Sequence, residues 1–152
     1  MNRQNPAGPE FSALTRKLNR VHFLEGLTTA QLNTILPCAL LCSCARGEAV
    51  FRQGDEGDAF YLIHTGKVAV QAGRGILRTA RTVAELGPGD YFGEVALLYP
   101  TVRTATVVCL EPTSLFTFTA TDFAYIMAEC PGLIENIRRT AERRHFLSTH
   151  NA

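Results

Sequence analysis

The chain has no tryptophan, only two methionines and no surplus of either charge: 15 lysines and arginines stand against 14 aspartates and glutamates, a formal net charge of +1. A near-neutral chain has no global field to draw it to nucleic acid or an anionic membrane, so any specificity is local. No apolar run approaches the roughly 20 residues that span a bilayer, and the N-terminus lacks the apolar segment of a secretory signal. The sequence therefore predicts no membrane insertion by this segment and places it on the cytoplasmic side. Five cysteines, Cys38, Cys42, Cys44, Cys109 and Cys130, form no Cys-x-x-Cys pair. An odd number in a chain of this size fits free thiols in a reducing compartment, and Cys42 and Cys44 read as small buried groups on one strand face. His22, His64, His145 and His150 are too scattered to form a metal-binding cluster. Asp55 and Asp58 in "QGDEGD" lack the ligand spacing of a calcium loop and read as a turn. Neither a nucleophile elbow nor a Walker motif is present, so the sequence predicts no enzyme and no metal site.

What is present divides into three textures. The opening "MNRQNPAGPEF", residues 1–11, reads as a flexible lead-in outside the fold, and residues 12–150 as one domain. Over 12–39, Leu14, Leu18 and Val21 recur at helical spacing, and Thr28 with Gln31 forms a capping box ahead of Leu32, Ile35 and Leu36. Pro37 should end or kink that second helix. From 40 to 119 short β-branched and aromatic runs alternate with glycine turns, the pattern of an antiparallel jelly roll. "LGPGD" suits a turn with proline second and glycine third, and Arg74, Arg78 and Arg81 mark a basic, solvated hairpin tip. Over 121–147 two helices are expected, Pro131 opening the last, with Cys130, Leu133, Ile134, Ile137 and Ala141 on its inner face. The expected class is mainly β: an antiparallel jelly roll (β-roll) flanked by N-terminal helices and two C-terminal helices.

One stretch carries chemistry. In "FGEVALLYPTVRTATV", residues 92–107, a turn delivers the chain to Gly93, "EVALL" forms a short helix that Pro100 breaks, and Arg103 follows. Gly93 lets the backbone approach a ligand, the helix start offers free N–H groups, and Arg103 can hold an anion such as phosphate with two prongs. A glutamate beside that anion would repel it unless it faced a hydroxyl instead. Glu94 accepting from a ribose 2′-OH resolves the conflict, and the ligand that joins a free 2′-OH closely to a singly charged phosphate is a 3′,5′-cyclic nucleotide.

That stretch is similar to the phosphate-binding cassette of cyclic nucleotide-binding domains, keeping Phe92, Gly93, Glu94, Ala96, Leu97, Arg103, Ala105 and Val107 of its pattern. "GEAVFRQGDEGDAFYLIHTGKVAV" and "ELGPGDYFGE" extend the resemblance to about residues 20–146. It implies cAMP or cGMP as regulatory ligand. It also implies a ribose contact from Glu94, a phosphate contact from Arg103, backbone contacts from Gly93, Val95 and Ala96, and base contacts from Val70 and Leu86. Ala105 belongs to the same ligand set, and Thr104 stands where relatives that accept cGMP often carry threonine, which marks tolerance of cGMP and not selectivity.

On the stripe of Leu133 and Ile137 the next position of the same phase is Arg144. In channels and kinases of the family this helix closes over the base, and "IRRTAERR" resembles the lid helix of prokaryotic cyclic nucleotide-regulated potassium channels, with Arg144 at the base. The alternatives are Arg143 in that role, or helix-end arginines that stay solvated and complement the dipole. No DNA-binding module follows the lid helix, so the resemblance implies a tethered channel or transporter as effector. The competing readings are the regulatory domain of a cyclic nucleotide-dependent kinase, or an interaction module that has lost its ligand.

Overall fold

The computed structural model describes residues 2–21, 24–25, 27–73, 81–98 and 101–151, without the side chains of residues 2 and 144–151. The expected capping box forms: the Gln31 N–H donates to Thr28 Oγ1 at 3.2 Å, and the Thr28 N–H donates to Gln31 Oε1 at 2.8 Å. It opens helix α2 (Thr29–Ile35), which tightens into a 3-10 turn over Leu36–Cys38. Pro37 sits in the first turn of that 3-10 segment, where its missing N–H is harmless. The N-terminus departs from expectation. Residues 2–4 form a strand, β1 (Asn2–Gln4), and α1 runs over Pro9–Leu18, so most of the supposed lead-in joins the fold. The polar "NRQ" has no apolar pattern to betray it, because β1 is recruited through backbone hydrogen bonding to the edge of β2 (Leu40–Cys44).

The remaining strands are β3 (Ala49–Phe51), β4 (Glu56–Gly57), β5 (Ala59–Thr65), β6 (Val68–Ala72), β7 (Arg81–Leu86), β8 (Tyr91–Phe92), β9 (Thr101–Val102), β10 (Thr106–Cys109) and β11 (Thr113–Thr119). They pair antiparallel in a five-stranded sheet β1-β2-β11-β5-β8, a four-stranded sheet β3-β10-β6-β7 and the ribbon β4-β9. This is the expected β-roll. The "LGPGD" turn is closed by the Asp90 N–H donating to the Gly87 carbonyl at 2.9 Å, with Gly89 at φ +89° in the position that excludes a side chain. Arg81 is exposed at the start of β7, while Arg74 and Arg78 lie outside the described residues.

Strand alternation sorts side chains between two cores. Phe60 and Leu62 of β5, with Phe116 and Phe118 of β11, pack outward against α1, α2, α3 (Ala120–Glu129) and α4 (Pro131–Asn151). Tyr61, Ile63 and Leu115 point into the roll, beside Cys42, Cys44, Val68, Phe92, Val107 and Cys109. Burial holds the Cys44 thiol up to about 12, with Cys109 beside it adding to the effect. It thus stays protonated, a packing group as the sequence suggested. On α4, Leu133 and Ile137 are buried whereas Ile134, expected on the same face, is 37% exposed. The buried seam advances by four residues, and Ile134 lies at its edge, about 100° from Leu133 and about 60° from Ile137 on the helical wheel.

His64 supplies a pH dependence. Its ring lies 5.0 Å from that of Phe116, and its Nδ1 is buried without a hydrogen-bond partner among the described residues. Desolvation by burial, then the charge of Lys17, lowers its pKa from 6.5. The unfolded chain therefore takes up the proton first, so this stabilisation is complete above about pH 6.5 and declines below it. The urea midpoint should fall between about pH 7 and 5.5, and His64→Gln should flatten that part of the decline; an unchanged slope would contradict the assignment.

Candidate functional site

The cassette begins where β8 ends. Gly93 adopts φ +82° and ψ 15°, and the chain then makes a 3-10 turn over Glu94–Leu97, tighter than the short helix expected. Residues 99 and 100, which include the proline expected to break it, lie outside the described residues. A Cβ on Gly93 would stand 2.9 Å from Arg103 Nη1 and 3.0 Å from the Ala59 carbonyl oxygen. Both its backbone conformation and the approach of the arginine thus require glycine.

The two charged residues are both buried: Glu94 is 4% exposed and Arg103 7%. Arg103 follows β9 and is pinned by its backbone to the "QGDEGD" loop. Its N–H donates to the Asp55 carbonyl at 2.7 Å, and its own carbonyl accepts from the Gly54 N–H at 2.8 Å. Read from sequence only as a turn, that loop is therefore the platform that aims the arginine. Nη2 donates to the Ala59 carbonyl at 2.9 Å and Nη1 to that of Gly93 at 3.5 Å, while Nε is buried with no hydrogen-bond partner among the described residues. Burial pushes the Arg103 pKa down, opposed by Tyr61, Asp58 and Asp55. The guanidinium remains charged.

Among the other expected contacts, Val70 and Leu86 are half-buried and pack on the roll cluster that contains Tyr61 and Phe92. Their strands are neighbours, Val68 standing opposite Leu86 in the β6–β7 register. The structure therefore brings them to the same interior that receives Arg103, over Phe51 and near Tyr61. Ala96 is buried, Val95 and Ala105 half-buried, and Thr104 exposed. Arg144 lies within α4, and its side chain is outside the described residues. Leu133 and Ile137 share a core with Leu97, so α4 is anchored on the outer side of the cassette. An open pocket of about 710 Å³, which the sequence did not signal, is lined by Ala96, Leu97 and Val102 and by Ala120, Ala124 and Met127 of α3. Among the described residues no cluster of three or more histidines, cysteines, aspartates or glutamates could hold a metal, and no helix is long and apolar enough to cross a membrane.

Residues 41–130, more than half of the 152, match the family described as cyclic nucleotide-binding domain. A cGMP-dependent protein kinase of Eimeria tenella is 38% identical over 103 residues, which are 68% of this chain and 10% of the kinase. A cAMP-dependent protein kinase regulatory subunit of Schizosaccharomyces pombe is 36% identical over 120 residues, 78% of this chain and 28% of the subunit. Among solved structures, the catabolite activator protein of Thermus thermophilus superposes with a TM-score of 0.72 at 31% identity, covering 82% of this chain and 58% of that one. The chain spans about a tenth to a third of the first curated relatives it matches.

Proposed function

The chain belongs to the cyclic nucleotide-binding domain family, and from that premise we propose that it binds cAMP or cGMP and reports occupancy to an effector. The domain is a regulatory, non-catalytic fold. The observation that carries the ligand reading is the buried pair on one short segment: Arg103, with an unpartnered Nε–H, beside Gly93 and Glu94. A buried donor left without an acceptor costs about 1–3 kcal/mol, which a phosphate oxygen would recover. In this reading Arg103 holds the cyclic phosphate and Glu94 accepts from the ribose 2′-OH. The backbone of Gly93, Val95 and Ala96 lines the phosphate, Ala105 belongs to the same ligand set, the Thr104 hydroxyl can reach a guanine, and Val70 and Leu86 meet the base.

The ribose assignment has its own test. Calorimetry should show 2′-deoxy-cAMP binding about tenfold more weakly than cAMP, and Glu94→Ala should abolish that difference. If Glu94→Ala still discriminates between the two, the hydroxyl is read elsewhere.

Transmission follows from packing. The cassette touches α3 and α4 on its outer side, so a ligand with different affinities for two cassette positions biases both helices. Arg144, in the last turns of α4, is the group proposed to reach the base when the helix closes. Hydrogen exchange over residues 138–147 should slow when ligand is added, and Arg144→Ala should remove that protection while weakening binding by less than about tenfold. Unchanged protection in the variant would end the lid proposal. For the effector, two of the three relatives described above are a cyclic nucleotide-dependent kinase and a kinase regulatory subunit, and none of the three is a channel. They support a kinase catalytic unit as effector in place of the channel or transporter that the lid sequence suggested.

A further inference from the structure

The side chains around Arg103 form a second layer of the site. Arg103 Cζ lies 4.1 Å from the centroid of the Phe51 ring, within cation–π range, and 5.9 Å from that of Tyr61. Phe51 is itself held, its ring 5.9 Å from Tyr61 and 5.8 Å from Phe92. Those two rings stack at 5.1 Å with 15° between their planes. The three aromatics come from β3, β5 and β8, so residues far apart in sequence, drawn from both large sheets, build one floor. A ring attracts the cation without consuming an N–H donor. The donors of Arg103 stay available for Ala59, for Gly93 and, at Nε, for an acceptor that none of the described residues supplies.

We propose that Phe51 is a positioning residue for anion recognition: its ring fixes the Arg103 guanidinium before the ligand arrives and leaves Nε–H to a phosphate oxygen. This rests on the reading that Arg103 holds the cyclic phosphate. Attraction between ring and cation exists with and without ligand, so it cancels in the affinity. What survives is the side-chain freedom that an unsupported arginine would lose on binding, equivalent to about fivefold to tenfold in Kd.

The test uses the full chain and two substitutions. Phe51→Leu keeps apolar bulk and removes the ring, whereas Phe51→Tyr keeps the ring. Kd for cAMP should rise about fivefold to tenfold in Phe51→Leu and stay within about twofold of wild type in Phe51→Tyr. Combined with Arg103→Gln, which removes the cation, Phe51→Leu should cost less than about twofold more. An equal loss with and without the arginine would show that Phe51 acts only through roll packing and would overturn the proposal, as would no loss at all. A second readout needs no nucleotide. In the free protein the Arg103 Nε–H resonance should be shifted upfield by the ring and slow to exchange, and Phe51→Leu should return it to the ordinary arginine position. If the resonance is the same in both proteins, positioning by Phe51 is refuted. Failure of the folded wild-type chain to bind cAMP or cGMP would instead refute the ligand reading of Arg103.

Discussion

Replacing Arg103 with alanine is expected to weaken cyclic nucleotide binding by about 100-fold or more while leaving the roll folded. Each hydrogen bond from a charged donor is worth about 1.5–3 kcal/mol, and two such bonds to one phosphate exceed the roughly 2.7 kcal/mol that corresponds to 100-fold. Stability should fall only modestly, because the Ala59 and Gly93 carbonyls lose a donor but the aromatic floor remains. Arg103→Lys keeps the charge but loses Nε and the planar fork, and should fall between the two. Calorimetry paired with thermal unfolding separates the outcomes. A variant that binds as tightly as wild type but unfolds at a clearly lower temperature would mean that the buried arginine is a structural strut, and tight binding with unchanged unfolding would leave it no role in the site.

The second large effect concerns Phe60, which is fully buried where the roll meets its helices. Its ring lies 5.8 Å from Tyr91, 5.7 Å from Phe118 and 6.1 Å from Phe123 of α3. Phe60→Ala should cost about 3–5 kcal/mol, through lost burial plus the cavity left behind. In a domain of this size that corresponds to a fall in Tm of about 6–20 °C. Tyr125, on the outer side of α3 and 76% exposed, makes the control. Tyr125→Ala should change stability by no more than about 0.5 kcal/mol. Comparable losses in the two variants would contradict the placement of the core.

The sequence reveals most readily what closes locally: the Thr28 capping box was legible because it closes within four residues. The cassette could be read because Gly93, Glu94 and Arg103 lie close together in the chain and their chemistry fits one ligand. What stayed hidden depends on distant segments. The Phe51 contact joins β3 to a residue 52 positions later, and the service of the "QGDEGD" loop to Arg103 is made through backbone atoms. Strand β1 has polar side chains and is recruited by main-chain pairing alone, so periodicity could not find it. Ile134 shows the limit of periodicity in the other direction, since an apolar residue at the edge of a helical stripe can face solvent. For the effector, a basic helix pattern that many helices share suggested a channel, whereas the relatives described above support the kinase alternative.

The most direct measurement is isothermal titration calorimetry of this chain with cAMP, cGMP and 5′-AMP. The account predicts saturable binding of at least one cyclic nucleotide and far weaker binding of 5′-AMP, whose extra charge and open phosphate misfit a site built from one arginine and one ribose-facing glutamate. No heat from either cyclic nucleotide with a folded sample, or equal binding of 5′-AMP, would contradict it.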